Sequence, residues 1–410
     1  MSIALLKGPV GVYLSTLLVS AIFWAQPFPG GPRIPTVLIM LLGTFFLVKD
    51  KITFSDQRLR RFVIILTLLF VPAILSVLNS YDRNGTLKLI FILPLFVPFA
   101  AAVLFLIDKK IESKLFYSFI FFVSIFWMFD GLVQLISGHD LFGVPPWPGD
   151  GVRIVGPFAQ HLRLSLFLSI TIPLVLFRLK GSSWIWTIFY LAFVIFIILL
   201  SGVRTDLLTA LIAIGLYVIS NKKVKLLLAL MPLLLVVGML ASNNSSISDT
   251  KLKTFSSFPS TYQQWNTLSS YRLDIWLTAK NMFIENPIVG VGAKSFSDAY
   301  DTYATENNFF NSETVFHAHH PMISIAAETG IIGLSGFFTA LFLLYKWGRR
   351  SLIRSDLLAN PWFQILILMF FPIQSMPLLF TLWWFPVVAL VILFYLADLD
   401  KNEYKLPVGK

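Results

Sequence analysis

Between Lys180 and Arg204 the sequence carries no charged residue, and none occurs from Leu357 to Ala397. A hydrocarbon layer ~30 Å thick needs about 20 apolar residues per crossing helix, and such stretches run from near the start of the chain to near its end. Inside a bilayer each backbone polar group must be bonded within the protein, so these stretches read as helices that close their own hydrogen bonds. Composition agrees: 57% of residues are hydrophobic and 13% charged, against ~25% charged in an ordinary soluble domain. Water is not the main solvent of this chain.

The expected spans are residues 9–27, 34–48, 62–78, 88–107, 115–137, 162–177, 184–200, 206–219, 224–241, 322–345, 362–376 and 381–397. They predict an all-α polytopic membrane protein with about twelve crossings. Lys7 ahead of the first apolar run resembles the start of a secretory signal, but no Ala-x-Ala-like site follows, and the run is read as a retained helix. Pro94, Pro98, Pro173, Pro232 and Pro372 are read as kinks that help line a cavity. With loops alternating between two sides, 21 of the 32 Lys and Arg residues fall on the side of both termini. The positive-inside rule makes that side the cytoplasm. The net charge of +11 is therefore explained by short loops between apolar spans rather than by a nucleic-acid partner.

Two segments of unusual composition then face outward. One runs from about Gly138 to His161 and holds the turn Val144-Pro145-Pro146-Trp147-Pro148-Gly149. The other, residues 242–321, reads as a loop subdomain inserted between the ninth and tenth spans of one membrane domain covering 1–410. Inside it Leu273, Trp276, Ala279, Met282 and Phe283 recur at helical spacing, predicting an amphipathic helix on the membrane-facing surface. Asn286-Pro287 should stop it, and Gly290 and Gly292 should make the following turn.

Cysteine is absent, which removes disulfides, thiolate nucleophiles and cysteine-based metal sites. All five histidines, His139, His161, His317, His319 and His320, fall on or near the outer side, three of them just before a span. They read as an exposed polar loop end, as a general base acting near neutral pH, or as metal ligands together with Glu328. No HExxH or Asp-x-Asp pair accompanies them, so no metal or other cofactor is assigned. Arg204 stands at the outer mouth between two apolar helices, where a guanidinium must snorkel to water or meet an anion. A diphosphate has room for two or three arginines, and Arg272, Arg153 and Arg163 are the other candidates, although any of them could instead meet lipid headgroups. Asp130, inside the fifth span, needs a partner the sequence does not name.

Arg272-x3-Trp276, Glu285-Asn286-Pro287-Ile288-Val289-Gly290-Val291-Gly292, and His319 ahead of Ala327-Glu328-Thr329-Gly330-Ile331-Ile332-Gly333 together resemble the shared domain of the O-antigen ligase and polymerase superfamily. Arg204-x3-Leu208 is similar to the Arg-x3-Leu element of the ligases. His319, then nine residues after position 320, then Gly330-x2-Gly333, is similar to their His-[Asn/Ser/Gln]-x9-Gly-x2-[Gly/Thr/Tyr] pattern. Position 320 departs from that pattern, being His, which leaves His319 and His320 both open as the base. The resemblance covers roughly residues 150–345. It implies a metal-independent, GT-C-like glycosyltransferase of the bacterial inner membrane that takes a glycan from undecaprenyl diphosphate at the periplasmic face. A ligase would place that glycan on a sugar hydroxyl of the lipid A core with inversion. His319 would be the base and Arg204, Arg272 and Arg153 the diphosphate ligands, with His320, His317, Arg163 and Glu328 in secondary roles. A polymerase or protein O-oligosaccharyltransferase of the same superfamily is the alternative, and a transporter is the alternative of another class.

Overall fold

The computed structural model describes residues 8–28, 30–148, 153–158, 162–223, 259–310, 314–352, 354–372, 379, 381 and 383–403. In chain order the described helices begin with α1 (Gly8–Trp24), α2 (Arg33–Val48), α3 (Gln57–Leu75), α4 (Arg83–Ile92), α5 (Phe96–Lys109) and α6 (Ser113–Ser137). There follow α7 (Leu164–Arg178), α8 (Trp184–Ser201), α9 (Arg204–Asn221), α10 (Tyr262–Leu268), α11 (Arg272–Glu285) and α12 (Phe296–Tyr303). The last are α13 (Pro321–Ser351), α14 (Arg354–Ala359), α15 (Pro361–Phe370) and α16 (Phe385–Glu403). Among the described residues the only extended pairing is a single bridge between Trp147 and Arg153.

Among the described residues, five stretches are long and apolar enough to cross a membrane: Gln57–Asn79, Arg83–Lys109, Ser113–Ser137, Trp184–Ser201 and Pro321–Ser351. Gly8–Trp24, Arg33–Val48, Leu164–Arg178 and Pro361–Phe370 are apolar but shorter. Secondary structure among the described residues is thus helical apart from that bridge, as a polytopic membrane protein requires. The expected span 224–241 lies outside the described residues, as does Pro232, and the span 362–376 is helical over its first part. Pro94 sits in the 3-10 turn Leu93–Leu95 that separates α4 from α5, because a ring without an N–H cannot continue the ladder. Pro173 stays inside α7.

The chain divides into two compact units, the first drawn from Met1–Val37, Leu106–Ser257 and Arg354–Met369. At one end of this unit the Trp362 indole donates to the Tyr117 hydroxyl at 3.1 Å, and Arg178 donates to Ser118 at 2.8 Å. Both bonds join segments that the charge count assigns to the cytoplasm. The other end of α6 carries Gln134, which donates to the Val144 carbonyl at 3.0 Å and accepts from the Val155 and Gly156 amides at 2.8 and 2.9 Å. The Ile154 amide reaches the Leu200 carbonyl at 3.3 Å. The buried Gln134 amide thus ties the described part of the 138–161 segment to the end of α6, and the Ile154 main-chain bond ties it to the end of α8.

The second unit is drawn from Leu38–Phe105, Phe258–Ile353 and Phe370–Lys410. Its helices α3, α13 and α16 bring their charged ends together: Arg58 lies 3.8 Å from Asp400, and the Arg61 guanidinium sits 5.5 Å over the Trp347 ring. At the opposite end of α3 the chain meets the segment after α11. The Tyr81 amide donates to the Val291 carbonyl at 3.1 Å, the Thr86 hydroxyl to the Ala293 carbonyl at 2.6 Å, and the Ala293 amide to the Ser76 hydroxyl at 2.9 Å. Both segments were expected on the outer face, more than 200 residues apart in sequence.

Helix α13 is broken at Gly330, whose φ of 62° and ψ of −157° belong to no helix. Past the break the Ile331 amide donates to the Pro287 carbonyl at 2.8 Å, while the Val291 and Gly292 amides donate to the carbonyls of Ala327 and Glu328 at 2.9 and 3.0 Å. The turn 286–292 thus fills the gap left in the helix. A Cβ at Gly290 (φ 71°) would overlap the main chain of Glu328, and one at Gly330 would overlap that of Ile288. Such conformations cost a non-glycine residue about 1–3 kcal/mol before any clash. Gly330→Ala and Gly290→Ala should each lower the melting temperature of the purified protein by several degrees, whereas Gly215→Ala, which meets nothing within 4 Å, should not.

Candidate active site

Helix α11 forms where the spacing predicted it, but its buried face is rotated from the predicted stripe. Asp274, Ile275, Thr278, Ala279 and Met282 point inward, and Ile275, Ala279 and Met282 join a cluster with Phe296, Tyr300, Val315, Ala318 and Ala327. This face of the helix therefore packs on the loop's own core and on Ala327 of α13. Two polar residues hid this face. Asp274 accepts from the Tyr262 hydroxyl at 2.7 Å and from the Phe309 amide at 3.0 Å, and Thr278 accepts from Asn308 at 3.0 Å, so both are satisfied in the interior.

On that core stands the histidine segment. The Trp276 indole donates to the Ala318 carbonyl at 2.9 Å, and the Ala318 amide donates to the Ser324 hydroxyl at 3.3 Å, fixing the residue just before His319. His319 has a φ of 50°, a left-handed backbone rare for a residue with a side chain. Its ring is half-buried and lies 4.1 Å, centroid to centroid, from that of His317. His320 is the N-cap of α13: its Nδ1 accepts from the Ile323 amide at 3.4 Å, and its ring meets the Trp276 edge at 5.8 Å. Position 320 is where the resembled ligases carry Asn, Ser or Gln, and Asn and Ser are favoured helix caps. The apparent departure keeps the capping function in a different side chain.

Burial, backed by the nearby positive charge of Arg272, holds the His320 pKa below the ordinary imidazole value. Arg272 lies one turn before Trp276 on α11, and the Trp276 contact with His320 brings that turn toward the histidine segment. Glu328 is buried, and its Oε1 accepts from the Phe296 amide at 3.3 Å. It caps the start of α12 rather than facing His319 or His320 as a second ligand. Among the described residues no three His, Cys, Asp or Glu side chains group as a metal site.

Arg153, Arg163 and Arg204 belong to the first unit. Arg204 is exposed at the first position of α9, directly after Gly202 closes α8 in a left-handed turn. Arg163 is the half-buried N-cap residue of α7, and Ser165, two residues on, donates to the buried Asp206 of α9 at 2.6 Å. Arg153 is half-buried beside Ile154, whose amide reaches the end of α8. The three arginines thus share one end of this unit. Asp130 is fully buried, and its Oδ1 accepts from the Leu141 amide at 2.9 Å, which supplies the partner the sequence could not name. His139 is exposed nearby, and His161 lies outside the described residues.

Protonation of Nδ1 would abolish the His320 cap. Because the folded-state pKa is depressed, the unfolded chain binds the proton more readily, and stability falls as pH drops below about 6.5. His320→Asn should keep the cap and flatten the pH dependence of thermal unfolding between about pH 7 and 5, while His320→Ala should cost about 1 kcal/mol at neutral pH. A melting series of the three proteins across that range checks both.

No curated protein matches the chain. Residues 189–338 match the family model described as O-antigen ligase, a stretch that takes in Arg204, Arg272, the three clustered histidines and the break at Gly330. That match covers less than half of the 410 residues, and over it the chain is similar to the O-antigen ligase family.

Proposed function

We propose that the chain is an O-antigen ligase of the bacterial inner membrane. It crosses the bilayer about twelve times, keeps both termini in the cytoplasm, and works at the periplasmic face through the loop subdomain 242–321. Its donor is a glycan on undecaprenyl diphosphate and its acceptor a sugar hydroxyl of the lipid A core. The observation that carries the reading is the placement of His319, held in a left-handed backbone between the Trp276 anchor and the His320 cap, with Arg272 beginning the same supporting helix.

The chemistry follows from these groups. His319 takes the proton of the acceptor hydroxyl as its oxygen attacks the anomeric carbon from the face opposite the diphosphate. The bond from the anomeric carbon to the phosphate oxygen breaks, and undecaprenyl diphosphate leaves with the electron pair. Arg272, on the same unit as His319, binds that diphosphate and stabilises its growing charge as a planar donor suited to paired phosphate oxygens, while Arg204 and Arg153 take the same role on the strength of the sequence resemblance alone. His317 and Arg163 support these groups. The capping duty of His320 favours its neighbour His319 as the base.

In a strain lacking this gene, wild-type protein should restore long glycan on lipid A core, and His319→Ala or Arg204→Ala should fail to do so while still inserting at normal levels. Full activity of either variant would exclude this mechanism. Loss of a ligase leaves lipid-linked polymer in the membrane, whereas loss of a polymerase leaves a single repeat unit, so chain-length analysis of the deletion strain separates the two superfamily activities. Solute flux in liposomes without any lipid-linked donor would instead mark a transporter.

A further inference from the structure

The described part of the outer loop carries an aromatic surface that the transfer step does not use. The rings of Tyr271 and Phe309 stack 3.6 Å apart, 6° from parallel. Phe309 is 50% exposed, Tyr262 52% and Trp265 42%. These rings are fixed rather than loose. One buried carboxylate, that of Asp274, accepts from the Tyr262 hydroxyl through Oδ1 and from the Phe309 amide through Oδ2, drawing the two exposed residues to the same place. Trp265 lies one turn along α10 from Tyr262, on the same side. Ser270 and Tyr271 both hold a φ of 59°, so the Tyr271 ring keeps its position against backbone strain. Arg272 follows directly.

The chemistry around the rings selects the occupant. From Pro259 to Tyr271 no side chain is charged, and α10 reads Tyr-Gln-Gln-Trp-Asn-Thr-Leu. A helix lying on anionic lipid carries Lys and Arg on its polar face, and this one carries neither. Flat π-faces bordered by amides and hydroxyls instead suit a ligand with C–H faces and hydroxyl edges, which describes a sugar ring. We propose that Tyr262, Trp265, Tyr271 and Phe309 form a platform that binds one sugar ring of the glycan beside Arg272. The inference rests on the glycan-transfer reading and adds to it a subsite for the carbohydrate itself.

Full-length protein in nanodiscs tests it, with Phe309→Ala, Trp265→Ala and the conservative Phe309→Tyr. In transfer assays with donor and acceptor varied separately, the two alanine variants should raise the KM of one substrate about tenfold with little loss of kcat, and Phe309→Tyr should stay near wild type. The substrate whose KM rises identifies the bound ring as donor or acceptor. Saturation-transfer NMR with the host polysaccharide released from its lipid reads binding without turnover, and its signal should weaken in both alanine variants. Unchanged KM values together with unchanged saturation transfer would overturn the platform. So would variants that alter only the dependence on anionic lipid. If Phe309→Ala fails to fold, the exposed Trp265→Ala decides alone. Wild-type protein that binds the glycan through these rings yet transfers nothing would remove the ligase reading and leave the platform standing.

Discussion

Helix α13 gives up its own backbone ladder at Gly330, and the second unit is organised around that exchange. An unbroken helix would bond the carbonyls of Ala327 and Glu328 to the amides of Ile331 and Ile332. Here those carbonyls accept from Val291 and Gly292, and those amides donate to Pro287 and Ile288. The backbone groups stay satisfied although the helix is interrupted, the condition for a break in an apolar crossing segment. The swap carries Glu328 to the start of α12 and Ala327 into the core under α11. The support of Arg272 and of the histidine segment thus descends from a few main-chain bonds.

The same exchange explains how much of the site the sequence could reveal. Glu285 to Gly292 and Ala327 to Gly333 look like two separate weak motifs some 40 residues apart, because each is half of one interlock. Glycines 290, 292 and 330 are required where backbones touch or turn into positive φ, and that requirement leaves no periodicity to detect. Apolar helices were legible, five of them among the described residues long enough to cross a bilayer, since their signal is a length of apolar chain. The inward face of α11 was not, because Asp274 and Thr278 are buried polar residues whose partners, Tyr262, Phe309 and Asn308, lie well away along the chain.

His319 and His320 show a finer limit. As neighbours of identical type they are indistinguishable by composition, and a pattern match at 319 leaves 320 as an oddity. Backbone geometry separates them: one caps a helix through Nδ1, and the other sits in a strained turn with its ring beside His317. Asp130 was conspicuous in the sequence because it is a carboxylate within an apolar span, yet its partner is a main-chain amide, which no residue-type search can find.

The Gln134 strap has an evolutionary corollary. It grips Val144, Val155 and Gly156 only by their main-chain atoms, so the grip itself does not depend on the side chains at these positions. A lineage can therefore rewrite exposed positions between these grips, such as Leu141, Pro145 and Pro148, while the described residues stay seated on the end of α6.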